Sequence, residues 1–429
     1  MALKTTVRIG FLAGLIGVAW FVAWLVPRVS FVPRTSGEFS QQIYVWNRAW
    51  TGPVQDSIAL RVTNFSRLVA LVAEVNWKNR QPRVVHVDLD YPTLTNSACP
   101  VGLALRIGSY PGPFGTEDDA TRMLGELSET LLQTARSNGL SVAEFQIDFD
   151  CAESKLPGYQ VWVEAIRRRV APVPVTITAL PSWVKRRAFR SLVRATDGYV
   201  LQVHSLEPPR SVDQVFTLCD PAAARRVVER AAKVGVPFQV ALPTYGYEVG
   251  FDSSGRFVGI SAEGPSPNWP ADGVVKEVSA DADAMARLVR AWTRDRPASL
   301  QGVIWYRMPV AGDRLNWKWP TLSAVMEGRN PVARLSVRVR NPKAALSEID
   351  LLNVGDGDYR RRVTIRTRWS DSRLVACDGL RDFEVLVEGE TNINFISRLA
   401  VHLPPQSSRM VGWIRLDKET DVHAEISSK

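Results

Sequence analysis

From residue 43 to residue 329 the chain alternates short apolar runs with longer segments whose apolar positions recur at helical spacing. The apolar runs begin at Ile43 ("IYVWNRAW"), Val84 ("VVHVDLDYP"), Leu103 ("LALRIGSY"), Val142 ("VAEFQIDFD"), Val173 ("VPVTITALP"), Gly198 ("GYVLQVHSLE"), Pro237 ("PFQVALPTYGY") and Gly302 ("GVIWYRMP"). Helices are predicted between them at 117–136, 158–169, 222–234 and 282–294. Eight strands alternating with helices predict an α/β fold, a TIM-type (β/α)8 barrel. The alternation is irregular between the second and third runs, where "TLTNSACPVG" holds Pro100 and Gly102 and no helix.

Past a short linker at 329–331 the period changes. "RRVTIRTRW" puts Val363, Ile365, Thr367 and Trp369 on one face and Arg362, Thr364, Arg366 and Arg368 on the other, the two-residue alternation of a half-buried strand. With similar runs and turns such as "GDGD" around it, 332–429 reads as a small accessory β-sandwich. At the other end, 18 uncharged residues at 9–26 follow Lys4 and Arg8. As a helix they would span roughly 27 Å, close to a hydrocarbon core. The alternatives are a cleaved signal peptide and an uncleaved signal anchor; no convincing A-x-A site follows, so 1–32 is expected to be the anchor, with the rest facing the periplasm or the cell exterior. A polar linker is expected at 33–42 and the barrel at 43–329.

Composition narrows this picture. The chain has 429 residues, 45% of them hydrophobic, enough for two cored domains. Its net charge of +9 is spread thinly, with no run of five basic residues, so it reads as a solvated surface and nucleic acid is not an expected partner. Four cysteines without a C-x-x-C and four dispersed histidines fit no zinc pattern. Neither a metal nor a cofactor is expected. Cys99 and Cys151 both follow predicted strands, compatible with a bridge or with free buried thiols. Walker, Rossmann, G-x-S-x-G and H-E-x-x-H signatures are all missing.

Barrel enzymes carry their reacting groups at the carboxyl ends of the strands. There the sequence offers Trp46, then His86, Asp88 and Asp90, then Gln146, Asp148 and Asp150 on one face of the fourth strand. It also offers Gln202, His204 and Glu207, then Tyr245, Tyr247 and Glu248, and finally Trp305 and Arg307. Aromatic faces can stack on sugar rings, Gln, His and Arg can bond hydroxyls, and paired carboxyls can protonate a leaving oxygen. Taken singly, His86 reads as a core histidine, Trp305 as a barrel plug or a sugar platform, and Arg307 as a counter-ion or a substrate clamp. Asp148 and Asp150 are harder to assign to structure, because charge inside a barrel is costly unless paired or solvated.

"QIDFD" followed by "LPGYQVWVEAIRRRV" and "VTITALPSW" resembles the central segment of an uncharacterised bacterial family, domain of unknown function 3142. "VWNRAW", "VHVDLDYP", "LPTYGY" and "VIWYRMP" extend that resemblance, which implies an architecture and no activity. More distantly, the fourth strand is similar to the D-x-x-D-x-D-x-E strand of chitinase-type glycoside hydrolases. Asp148 and Asp150 match its second and third aspartates, and Trp305 matches the tryptophan under the sugar. Phe145 and Ala152 stand where that pattern has its first aspartate and its terminal acid, and Glu153 is one residue off.

The expected function is that of a membrane-anchored, glycoside-hydrolase-like protein acting on or binding a polysaccharide. Asp150 would be the general acid beside Asp148, and Asp90, Glu207 or Glu248 would supply the nucleophile or base. Trp46, His86, Asp88, Asp90, Gln146, Gln202, His204, Tyr245, Trp305 and Arg307 would contact the sugar. The alternative is a glycan-binding scaffold that kept the barrel without the acid, favoured by Ala152.

Overall fold

The structure is a computed structural model and describes residues 32–79, 81–205, 208–263 and 267–427. Eight parallel strands neighbour one another in chain order: Ser40–Val45, Arg67–Lys78, Val101–Ile107, Val142–Phe149, Val175–Ala179, Gly198–Gln202, Phe238–Pro243 and Leu300–Tyr306. The first pairs with both the second and the eighth, so the sheet closes into a barrel. Closure leaves this sheet no free edge among the eight.

One strand differs from the sequence expectation. The second barrel strand is Arg67–Lys78, whose run "RLVALVAEV" is buried almost throughout. The run that begins at Val84 forms instead Gln81–His86, antiparallel to that strand, with His86 opposite Ala73. It lies outside the ring and leads into the short helix Tyr91–Thr95. The missing helix before the third strand is thereby explained, because the true crossover starts at residue 79 and already contains a strand and a helix. The first strand also begins earlier than expected. It starts at Ser40, and ahead of it Arg34–Thr35 forms a separate two-stranded pair with Arg296–Pro297, where Arg34 binds Asp295 and Glu229 at 2.7 and 2.6 Å.

Helices cover the outside, among them Asp119–Ser137, Leu156–Val170, Pro221–Ala232 and Ala282–Arg294. The last starts where Asp281 accepts the Ala284 N–H at 2.9 Å, an N-cap that satisfies an otherwise orphaned donor. Against these helices pack the outward side chains of the strands, including Ile43, Val45, Phe145, Ile147, Phe149, Val303 and Trp305. Alternate positions, Tyr44, Val69, Ala104, Val200, Ala241 and Ile304, fill the barrel interior. This parity fixes which residues reach the mouth. Over the mouth stands a three-stranded antiparallel sheet, Gly246–Phe251, Phe257–Ser261 and Val274–Ser279, inserted after the seventh strand.

The C-terminal region consists of two four-stranded antiparallel sheets and a two-stranded pair. Ile349, Leu351, Ile365, Phe395, Val411 and Ile414 form a second core between them, while Arg366 and Arg368 face solvent as their alternation predicts. The "GDGD" turn docks this region on the barrel. Asp356 binds Arg329 at 2.8 Å and accepts the Thr321 hydroxyl on its carbonyl at 2.7 Å. A side chain at Gly355 would put a Cβ 2.2 Å from the Val332 carbonyl oxygen, so only glycine permits this approach. All four cysteines are free thiols. Among the described residues no helix is long and apolar enough to cross a membrane; the apolar run at 9–26 lies outside them.

Candidate active site at the barrel mouth

The fourth strand sends Gln146, Asp148 and Asp150 up the inside of the barrel in that order. Gln146 is fully buried below the mouth, where Tyr44 donates its hydroxyl to Oε1 at 2.6 Å. One step higher, Asp148 accepts the Thr178 hydroxyl on Oδ1 at 2.7 Å, and Arg106 Nε approaches Oδ2 at 3.9 Å. Asp150 stands at the rim, open to solvent on one side and walled by protein on the other.

Burial is the main force on this pair. It raises the proton affinity of Asp148, against the opposing Thr178 hydrogen bond and Arg106 charge. Asp150 is pushed up to about 6, first by loss of hydration and then by the Asp148 carboxylate, with Arg106 again opposing. Two neighbouring carboxyls that resist joint ionisation hold one proton between them up to about pH 6. The site therefore stores a proton beside a carboxylate.

Around the pair lies a cavity of about 260 Å³. Trp46, Tyr245, Tyr247 and Tyr306 supply aromatic surface, and Gln202 and His204 supply polar groups. The His204 ring stacks on Tyr306 with centroids 5.6 Å apart, and its Nδ1 lies 3.1 Å from the Tyr245 hydroxyl. Burial lowers the His204 pKa to about 3, so it is a neutral hydrogen-bonding group. A second compartment of about 380 Å³ adjoins the first and shares Trp46, Arg106, Tyr245, Tyr247 and Tyr306 with it. The two form one groove.

Of the residues singled out from the sequence, Trp46, Asp148, Asp150, Gln202, His204 and Tyr245 line the inner cavity. Gln146 supports its floor through Tyr44. Arg307 lines the outer compartment, but its guanidinium is already held by Asp313 at 2.8 Å and Asn47 at 3.3 Å. Trp305 does not reach the mouth. It points outward, fully buried against Trp317, and donates Nε1–H to Gln41 at 2.7 Å. Its neighbour Tyr306 has the inward parity instead.

His86 and Asp88 are exposed on the antiparallel strand and the segment after it, and Asp90 caps the helix Tyr91–Thr95 by accepting the Thr93 N–H at 2.8 Å. None of the three lines the cavity. Glu248 belongs to the inserted sheet, where Arg314 binds it at 2.7 Å. Glu153 starts a short 3-10 helix and pairs with Arg186, so it does not replace the missing acid, and Ala152 is exposed. Glu207 lies outside the described residues.

Glu74, Arg106, Thr178 and Tyr306 are not among the residues singled out from the sequence. Glu74 and Arg106 sit side by side in register on the second and third strands; Thr178 and Tyr306 come from the fifth and eighth. Arg106 has a visible signal, since it shares a face with Ala104 at the end of an apolar strand. Glu74 has none, because its strand shows no period that would set one face apart.

Residues 112–311 match the family described as "Domain of unknown function (DUF3142)", in agreement with the resemblance read from the sequence. No curated protein matches the sequence. Among solved structures, the spore cortex-lytic enzyme SleL of Bacillus megaterium QM B1551 is similar over 69% of this chain and 75% of its own, at 12% identity and a TM-score of 0.47. A chitinase from Chromobacterium violaceum ATCC 12472 aligns over 68% of this chain and 98% of its own, at 11% identity and a TM-score of 0.46. The GH18 chitinase ChiB of Flavobacterium johnsoniae aligns over 68% and 94%, at 14% identity and a TM-score of 0.44.

Proposed function

We propose that this chain, whose residues 112–311 carry the DUF3142 domain, binds a sugar chain in the groove at its barrel mouth and cleaves it by acid-assisted glycoside hydrolysis. The observation that carries the reading is the proton-sharing pair Asp148 and Asp150, set beneath aromatic walls at the strand ends. Sugar rings stack on Trp46, Tyr247 and Tyr306, while His204 and Gln202 take hydroxyl hydrogen bonds. Asp150 gives its proton to the glycosidic oxygen as the bond to the anomeric carbon breaks. Asp148, fixed by Thr178, stays ionised and stabilises the positive charge that develops on the sugar. Water then adds to the anomeric carbon and its proton restores the pair. The uncharged run at 9–26 favours a barrel tethered to a membrane and facing the periplasm or cell exterior.

A second reading has one specific observation in its favour. Ala152 occupies the place of an acid, and Glu153 and Glu248 are each tied to an arginine away from the cavity. On that reading the groove holds a glycan without turning it over. Release of reducing ends from a panel of bacterial polysaccharides by the full-length chain separates the two. Turnover that is lost in a folded Asp150→Asn variant supports hydrolysis; binding without turnover supports the scaffold.

A further inference from the structure

Arg106 lies where the two compartments of the groove meet, and it is unlike the charges around it. Arg48 binds Glu74 at 2.6 Å, Arg307 binds Asp313 at 2.8 Å, and Glu263 accepts the backbone N–H groups of Arg314 and Asn316 at 2.9 and 2.8 Å. Arg106 makes no side-chain hydrogen bond among the described residues. Its one ion contact among them is the 3.9 Å approach to Asp148, and its side chain is 47% exposed. A guanidinium carries five donors in a planar fork, matched to a carboxylate. Here most of that capacity faces the groove.

We propose, resting on the glycan reading above, that the sugar chain taken by this groove is acidic: a hexuronate whose ring carboxylate sits on Arg106 in the outer compartment. Local charge permits it. With Asp313 on Arg307, the charges at the outer compartment balance, Arg48, Arg106 and Arg307 against Glu74, Glu263 and Asp313, and among the described residues Arg106 is the one of these arginines that no carboxylate holds by a hydrogen bond. Below about pH 6 the carboxyl pair beside it shares a proton and brings one negative charge rather than two. Trp46 and Tyr247 line both compartments, so a ring can stack while its carboxylate turns to Arg106.

Occupancy also acts on the chemistry. Arg106 holds down the proton affinity of both Asp148 and Asp150, and a bound carboxylate cancels that charge. The pair then retains its proton more firmly, and the acidic substrate helps keep the acid loaded. Binding should accordingly take up protons and tighten as the pH falls toward the Asp150 value of about 6.

The test is titration calorimetry of the full-length chain with oligogalacturonate, oligomannuronate and oligoglucuronate, each beside its carboxyl-reduced counterpart. At least one oligouronate should bind roughly 10- to 100-fold more tightly than its reduced form, the range expected for charge-assisted hydrogen bonds. Arg106→Gln should abolish that preference and Arg106→Lys should keep part of it, with the melting temperature of each variant showing that it folds. Equal or better binding of the reduced sugars, a preference that survives Arg106→Gln, or binding of sulfated oligosaccharides alone would overturn the acidic-substrate inference. The glycan reading would survive each of these results. Failure of every oligosaccharide to bind would overturn both.

Discussion

Thr178 donates its hydroxyl to Asp148 Oδ1 across 2.7 Å, from the strand next to the one that carries the carboxylate. This bond favours the ionised form of Asp148 and so leaves the shared proton to Asp150. Thr178→Val keeps the shape and removes the donor. The proton should move toward Asp148, and turnover should fall roughly tenfold, with KM little changed, as for loss of a hydrogen bond to a charged group. Steady-state kinetics checks this. Unchanged kcat would mean that Thr178 only fills space.

Asp150 should also write itself into stability. Its carboxyl holds a proton up to about pH 6 in the folded chain and to roughly 3.9 when unfolded. Between those values the folded state binds more protons, so stability falls as pH rises through the window. Asp150→Asn removes that penalty. Its melting temperature should exceed the parent's above the folded-state value of about 6, and by less near the unfolded value of roughly 3.9. A difference independent of pH would contradict the assignment.

His204 should give the opposite slope. Burial lowers its pKa to about 3, whereas the unfolded chain protonates it near about 6.5. Below that unfolded value the unfolded state takes up the extra proton, so the chain loses stability on acidification. In denaturant titrations, His204→Gln should gain stability relative to the parent as the pH falls between the two values. The parent slope should persist if another group is responsible.

The eighth strand offers a test of parity. Trp305 is fully buried against the helices, whereas Tyr306 lines both compartments. Trp305→Ala should cost about 3–5 kcal/mol of stability, as a large cavity does. Tyr306→Ala should weaken glycan binding with a smaller loss of stability. Calorimetric unfolding and binding titrations measure both. The reverse result would place Trp305 under the sugar.

Much of the fold and part of the site are legible in the chain. The alternation in "EFQIDFD" marks the shared face of Gln146, Asp148 and Asp150, because polar residues at every second position of an apolar run lie together on one side of a strand. The second barrel strand is not legible. "RLVALVAEV" is apolar without a period, as a strand buried on both faces must be, while "VVHVDLD" alternates and looks more like a strand that carries a site. That pattern points His86, Asp88 and Asp90 toward the mouth, where the structure does not put them, and it hides Glu74 along with its strand. Trp305 and Tyr306 are ambiguous for a related cause: both faces of the eighth strand are largely buried, and register alone decides which one looks inward. Glu248 is close in sequence to Tyr245, but the inserted sheet carries it to Arg314.

The central claim is that Asp150 donates a proton in the groove, and the pH dependence of kcat/KM on a cleaved polysaccharide tests it most directly. The full-length chain should lose activity on the basic side with a midpoint near the Asp150 value of about 6. Asp150→Asn should bind the same glycan without cleaving it. Activity that stays flat across that midpoint, or that survives in Asp150→Asn, would contradict the account.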